Sequence, residues 1–84
     1  MDNKQQASEY MVNKPRFNKL KRDEINKYKF MTVTSKSYDG RNTVYYFAFP
    51  HKSMSIHAME NHIREMMRQY DDIEEFLVDY GRNA

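Results

Sequence analysis

Two His-x-x-Glu pairs are the residues whose types and spacing are best suited to chemistry. His57 precedes Glu60 by three residues, and His62 precedes Glu65 by three, so each pair shares one side of a helix if this segment is helical. An imidazole beside a carboxylate can ligate a metal ion or transfer a proton. However, His57 and His62 are five residues apart, which separates them by about 140° around a helix. Since no third ligand closes a site, the sequence predicts neither a metal centre nor a cofactor.

Nucleophilic and phosphate-transfer chemistry also lack candidates. The chain has no cysteine, and its two glycines are Gly40 and Gly81, which excludes a thiol nucleophile and a glycine-rich phosphate loop. Its serines and threonines fall in expected strands or at a helix start, where they have structural roles. A chain of 84 residues also buries only a thin core, which makes a dry catalytic pocket difficult to build. We therefore predict a binding protein that is not an enzyme.

Basic and aromatic side chains are concentrated in the first part of the chain. Residues 1–52 contain eleven Lys and Arg against five Asp and Glu, whereas residues 53–84 contain three against seven. Lys and Arg attract phosphates, and exposed aromatic rings stack on unpaired bases. The residues predicted to bind nucleic acid are Arg16, Lys19, Lys21, Arg22, Lys36, Tyr38, Arg41 and Tyr45.

The acidic last third of the chain predicts a second kind of surface. Carboxylates there can face a basic protein and mimic the phosphates of a nucleic acid, and hairpin aromatics can add apolar contact. The residues predicted to bind a partner protein are Phe47, Phe49, Glu65, Asp71, Asp72, Glu74 and Glu75.

A β-hairpin is the first element needed to position these residues. Residues 28–37 and 42–49 are rich in β-branched and aromatic residues, and Asp39-Gly40 between them is typical of a two-residue type I′ turn. With that turn, the numbers of cross-strand partners sum to 79. One face then carries Phe30, Thr32, Thr34, Tyr45, Phe47 and Phe49, and the other carries Met31, Val33, Ser35, Val44, Tyr46 and Ala48.

These two faces are expected to have different neighbours. The smaller face, with Tyr46 and Ala48, is expected to pack on a helix. The aromatic face, with Tyr45, Phe47 and Phe49, is too large to leave bare. Residues 10–27, a second copy of the chain, or a ligand are the three candidates to cover it.

Helical spacing dominates the C-terminal part. Apolar residues recur every three or four positions from Ile56 to Tyr80, which predicts an amphipathic helix over about 54–80, capped by Ser53 or Ser55. A capping box at Asp71 makes a break near that residue the alternative.

The N-terminal part contains weaker signals. Phe17, Leu20 and Ile25 predict a short helix or turn before the hairpin, and residues 1–14 are expected to be a flexible polar segment. The predicted architecture is thus a single α+β domain over residues 15–84, with an antiparallel hairpin packed on a C-terminal helix.

Over about residues 28–69, a basic hairpin followed by a helix resembles the sheet-plus-helix arm-binding domains of phage integrases, which lay a small sheet in the major groove of DNA. The resemblance is one of architecture and implies DNA binding without assigning residues.

Two functional hypotheses follow from the sequence. The first is a small nucleic-acid-associated protein that acts through its basic N-terminal region and hairpin tip. The second is a phage-type regulatory protein that binds and inhibits a host enzyme, itself a nucleic-acid-handling protein. A homodimer is a further option for so small a core. The chain shows no signal peptide and no apolar run of membrane-spanning length, so we expect a cytoplasmic protein with no membrane partner.

Overall fold

The structure is a computed structural model that describes residues 8–81; residues 1–7 of the expected N-terminal segment lie outside this range. The elements are β1 (Met11–Val12), α1 (Lys14–Asp23), β2 (Tyr28–Ser37), β3 (Asn42–Pro50), α2 (Ile56–Arg68) and β4 (Ile73–Asp79). The four strands form one antiparallel sheet in the order β1-β3-β2-β4. This confirms the α+β class, the hairpin and the short helix before it.

The hairpin turn is longer than predicted by one residue. Ser37 N–H donates to Arg41 O at 2.9 Å, and Gly40 N–H donates to Ser37 O at 3.0 Å, so the loop comprises three residues. Gly40 has a φ of +91°, whereas Asp39 does not adopt a positive φ. A type I′ turn requires positive φ at both central residues, while a three-residue loop requires it only at the last. Cross-strand numbers therefore sum to 78, as in Phe30 opposite Ala48.

This shift of one residue moves every β3 side chain to the other face of the sheet. Phe47 and Phe49 join Met31 beneath α2, while Tyr46 and Ala48 lie on the face covered by α1. The predicted assignment of these side chains to the two faces was wrong. The hydrogen bonds of Ser37 with Gly40 and Arg41 close a three-residue loop. This loop sets the register and accounts for the difference.

α2 covers the larger core. Its first turn is capped by Ser55, whose hydroxyl accepts a hydrogen bond from Ala58 N–H at 3.1 Å, as one of the two predicted caps. The rings of Phe47 and Phe49 stack with centroids 5.5 Å apart and an interplanar angle of 3°. The buried members of this core are Met31, Val33, Phe47, Phe49, Met59, Ile63, Met66 and Met67.

α1 covers one end of the opposite face. Phe17 meets Phe30 edge-on at 5.5 Å and lies 5.0 Å from the ring of Tyr46, and Leu20 is buried beside them. The helix begins after Asn13, whose side chain accepts a hydrogen bond from Arg16 N–H at 3.0 Å. α1 thus covers the face with Tyr46 and Ala48, which was expected to pack on the C-terminal helix. The aromatic face, for which residues 10–27, a second copy or a ligand were the candidate covers, lies instead beneath α2.

The predicted helix over about 54–80 was wrong beyond Arg68. The break near Asp71 is present, but the segment after it forms β4, which pairs antiparallel with β2. β4 satisfies the backbone groups along that edge of β2, which would otherwise be unpaired. Phe76 and Val78, two residues apart, also pack against the core beneath α2, as alternation along a strand requires.

Candidate functional site

α1 is the most basic element of the described chain. Its ten residues contain five Lys or Arg and one acid, Asp23. Phe17 and Leu20 occupy the side of the helix that is buried on the sheet, so the basic side chains occupy the remaining sides. All five are exposed, and they are Lys14, Arg16, Lys19, Lys21 and Arg22.

Asp23 partly neutralises two of these cations. Lys19 Nζ lies 3.0 Å from Asp23 Oδ2, and Arg22 Nε lies 3.5 Å from Asp23 Oδ1. The hydrogen bond from Lys19, with the charges of Lys19 and Arg22, holds the pKa of the Asp23 carboxyl below its usual value. Asp23 is therefore ionised at neutral pH and competes with any external anion for the same two side chains.

Lys21 faces a different neighbourhood from Arg16 and Lys19. Its Nζ lies 5.7 Å from the centroid of the Phe17 ring, and it borders an open groove of about 980 Å³ whose other lining residues include Leu77 and Asp79. Arg16 and Lys19 instead border a separate depression. Arg16, Lys19 and Arg22 thus form the part of α1 that is free of the β4 carboxylates, and we call these three residues the outer basic surface.

The hairpin tip does not join this surface. Lys36 is six residues from Phe30 along β2, about 20 Å at the usual rise of a strand, and α1 packs at the Phe30 end. Each tip cation also has an acidic neighbour: Arg41 Nε lies 3.1 Å from Asp39 Oδ2, and Lys36 is the cross-strand partner of Glu75. Tyr38, which was predicted to stack on bases, is 70% exposed at this distant tip.

Tyr45 lies on the other face of the sheet. Its ring stacks on that of Tyr70 with centroids 5.9 Å apart and an interplanar angle of 18°, on the side covered by α2. The structure therefore brings together Arg16, Lys19 and Arg22 among the predicted nucleic-acid residues, with Lys21 nearby. It does not bring Lys36, Tyr38, Arg41 or Tyr45 to them.

The predicted partner-binding residues divide in the same way. Phe47 and Phe49 are 0% exposed, so they belong to the core and offer nothing to a partner. The exposed carboxylates lie on α2 and from the following turn into β4, and they are Glu65, Asp71, Asp72, Glu74 and Glu75.

Two residues on β4 were missed as candidates. Leu77 is 74% exposed and Asp79 is exposed two residues further along the same strand. Both were placed in a helix, where Leu77 would have been buried in the apolar stripe. The alternation of Phe76, Val78 and Tyr80 was the signal that could have revealed the strand.

The histidines are dispersed. His62 packs among aromatic rings, with Tyr10 at 5.0 Å and Phe49 at 5.9 Å between centroids, while His57 is exposed. Glu60 accepts a hydrogen bond from the hydroxyl of Tyr80. Within residues 8–81, no three His, Asp or Glu side chains group as metal ligands. No helix in this range is both long and apolar enough to cross a membrane.

Comparisons of the chain with protein-family models, with curated proteins and with solved structures find no match. The function must therefore be argued from the chemistry of the surfaces themselves.

Proposed function

We propose that this protein binds nucleic acid through the phosphates of a duplex, using the outer basic surface of α1. The observation that carries this proposal is that α1 packs on the sheet through apolar side chains and presents basic side chains to solvent. Phe17 and Leu20, 7% and 8% exposed, attach the helix to the sheet, and five exposed cations occupy its other sides. Clustered Lys and Arg on one element are the electrostatic footprint of phosphate binding.

A duplex is favoured over a single strand because the rings of β3 are engaged within the fold and Tyr38, 70% exposed, lies at the distant hairpin tip. Single-strand binding uses exposed rings on which successive bases stack. Here Phe47 and Phe49 are buried, Tyr46 is covered by Phe17, and Tyr45 is stacked on Tyr70. What α1 offers is charge, and a B-form duplex presents about one negative charge per 1.7 Å of axis.

The expected binding is weak in sequence preference. Contacts to phosphates position a protein on a duplex but do not read its sequence. α1 has ten residues, hence a length of about 15 Å, which lets its cations reach phosphates along one stretch of backbone. The outer basic surface supplies three phosphate contacts in this arrangement, from Arg16, Lys19 and Arg22.

A salt titration with matched variants tests this proposal. Affinity for a fluorescently labelled duplex is measured by anisotropy at several salt concentrations, for the parent chain and for the triple variant R16Q/K19Q/R22Q. Each lost phosphate contact lowers the slope of log K against log salt by about 0.9, so the triple variant should lose between about 2 and 3 from the magnitude of the slope.

The control variant K27Q/K36Q/K52Q removes the same charge from exposed lysines outside α1. It should retain most of the salt dependence. Equal weakening by both variants would mean that net charge and not α1 drives binding. Absence of duplex binding by the parent chain at low salt would overturn the proposal directly.

Removing the competing carboxylate should have the opposite effect. In D23N, Lys19 and Arg22 lose their internal partner, so we expect tighter duplex binding and a steeper salt dependence. D39N removes an equivalent exposed carboxylate that pairs with Arg41 at the hairpin tip, and it should leave duplex affinity nearly unchanged. A larger gain for D39N than for D23N would place the phosphate contacts at the tip.

A further inference from the structure

β4 is an open edge of the sheet. It is the terminal strand in the order β1-β3-β2-β4 and pairs only with β2. Ser37 N–H bonds to Arg41 O of the hairpin, so the odd-numbered residues of β2 direct their backbone groups to β3 and the even-numbered ones to β4. Thr34 is opposite Leu77. Glu75, Leu77 and Asp79 therefore bond to β2.

The intervening residues of β4 direct their backbone groups away from the sheet. These are Phe76 and Val78, and each has an N–H and a C=O that β2 does not use. Glu74 lies at a register shift opposite Lys36 and Ser37, where this alternation is interrupted. The opposite edge of the sheet is different, because β1 has two residues and α1 begins two positions after it. β1 pairs with β3 only at Tyr46 and Phe47 and leaves Asn42 to Tyr45 unpaired on that side. Of the two edges in residues 8–81, β4 therefore offers the longer free stretch.

The solvent-facing side chains of β4 are, in order along the strand, acidic, apolar and acidic. Glu75, Leu77 and Asp79 share the face of the sheet that α1 leaves open, at intervals of about 6.6 Å. Acidic residues on an edge strand also discourage aggregation, and this accounts for the charges. It does not account for Leu77, which is the most exposed of the large apolar side chains in the described chain, at 74%.

We propose that β4 binds an extended segment of a basic partner protein, which pairs with its free backbone groups as a fifth strand. Strand addition takes its affinity from backbone hydrogen bonds and its selectivity from alternate side chains. The row formed by Glu75, Leu77 and Asp79 selects Lys or Arg at the first and fifth positions of that segment and an apolar residue at the third.

The other side of the added strand meets the half-buried apolar side chains of Phe76 and Val78. A depression of about 320 Å³ lies beside them at the end of α2, with a mixed lining of Met67, Tyr70, Ile73 and Phe76 together with Arg68, Glu74 and Glu75. The second and fourth residues of the added segment face this side, since side chains alternate along a strand. The preferred sequence is thus basic, apolar, apolar, apolar, basic.

A second copy of this chain does not fit the same edge. In an antiparallel pair of β4 strands centred on Leu77, Glu75 of one copy lies opposite the Asp79 of the other, and directly opposed like charges are destabilising. The segment 71–79 contains five acids and no Lys or Arg. Among residues 8–81, the Lys and Arg ion pairs are made with Asp23 and Asp39. None of the five carboxylates forms an ion pair there, although Glu75 has Lys36 as its cross-strand neighbour.

Labelled peptides titrated into the full chain test the proposal. The probe contains the core Lys-Val-Leu-Val-Lys, and the matched control contains Glu-Val-Leu-Val-Glu. Anisotropy gives the affinity, and amide chemical shifts in the nuclear magnetic resonance spectrum locate the site. We expect the lysine peptide to bind and to shift the amides of Phe76 and Val78 most. Equal binding of the two peptides would overturn the proposal.

Backbone methylation of the peptide separates strand addition from simple charge attraction. The first valine of the lysine peptide lies opposite Phe76 or Val78, so N-methylation there removes a donor that pairs with β4. N-methylation of the central leucine adds the same group at an N–H that points away from β4. Loss of one backbone bond should cost about tenfold in affinity, so the valine-methylated peptide should bind about tenfold more weakly than the leucine-methylated one.

Two outcomes would count against the proposal. Equal affinity of the two methylated peptides would exclude strand addition. Loss of peptide binding in R16Q/K19Q/R22Q would place the peptide on α1 and would likewise overturn the proposal.

Discussion

His62 is half-buried in a cluster of aromatic rings that joins α2 to the segment before β1. The centroids of the Tyr10, Phe49 and Phe47 rings lie 5.0, 5.9 and 6.3 Å from that of its imidazole, and Nε2 is hydrogen-bonded to the Ser8 hydroxyl. Desolvation by these rings lowers the pKa of His62, and the nearby charge of Glu9 opposes the shift in part. The folded chain therefore favours the neutral imidazole.

This shift predicts a pH dependence of folding. The unfolded chain takes up a proton at His62 near its ordinary pKa of about 6.5, whereas the folded chain does so only at lower pH. Stability is therefore fully present above about pH 6.5 and is lost as the pH falls through the folded pKa. Urea unfolding between about pH 7.5 and 5.5 measures the effect. H62Q should flatten the profile, and H57Q, at an exposed histidine, should not; an unchanged profile in H62Q would contradict this account.

Two glycines with positive φ differ in what surrounds them. Gly40 has a φ of +91° with nothing within 4 Å of an added Cβ, while at Gly81, with a φ of +69°, an added Cβ would lie 3.0 Å from Phe30 O. G40A should lower the free energy of unfolding by about 1–2 kcal/mol, from the left-handed backbone alone. G81A should cost more, because the β2 backbone must also move. Equal losses in chemical unfolding would show that the Gly81 contact is unimportant.

The hairpin register makes an equally direct prediction for β3. Phe47 is buried beneath α2, whereas Val44 is 43% exposed, although the two-residue turn would have placed Val44 under the helix. F47A should cost about 3–5 kcal/mol of unfolding free energy, as for other core aromatics, and V44A within about 0.5 kcal/mol. A large loss in V44A would support the register with cross-strand numbers that sum to 79.

Local signals sufficed for some elements and failed for others. The strands of the hairpin, the helix around Phe17 and Leu20, and the cap at Ser55 depend on neighbouring residues, and the sequence predicted them. The register of the hairpin could not be predicted from the sequence, because Gly40 suits the end of a three-residue loop as well as a type I′ turn. β4 could not be predicted either, since Tyr70, Ile73, Leu77 and Tyr80 continue the helical spacing.

In the candidate site, too, the sequence predicted the features that depend on neighbouring residues and missed those that depend on residues distant in sequence. The density of cations in α1 was visible in the sequence. The neutralisation of the cations at the hairpin tip was visible in the sequence only in part. Asp39 is two positions from Arg41, but Glu75 comes beside Lys36 only through the pairing of β4 with β2. The separation of Tyr45 from α1 likewise depends on the register, which no single segment specifies.

Across the whole molecule, the charges are segregated around one groove. Lys21 of α1 and Asp79 of β4 border it together, so the outer basic surface and the acidic strand are held apart by the open part of one sheet face. A duplex on α1 therefore lies within reach of the β4 carboxylates at low salt, where screening is weak. We therefore expect the acidic strand to oppose duplex binding without contacting the duplex.

The triple variant E74Q/E75Q/D79N tests this opposition. Duplex affinity should rise severalfold at low salt and return to the parental value at high salt, where the Debye length falls below about 10 Å. Anisotropy titrations at both salt concentrations measure it. A gain that persists at high salt would indicate a direct contact between β4 and the duplex, in conflict with the assignment of binding to α1.

Because β4 is paired on one side only, its backbone amides should differ in their rates of hydrogen exchange. In amide hydrogen exchange, the N–H groups of Glu75, Leu77 and Asp79, which face β2, should exchange slowly, while those of Phe76 and Val78 should exchange at rates close to those of an open chain. β2, held on both sides, should be protected at consecutive positions. Slowly and rapidly exchanging amides should therefore alternate along β4, and this alternation distinguishes a strand from a helix.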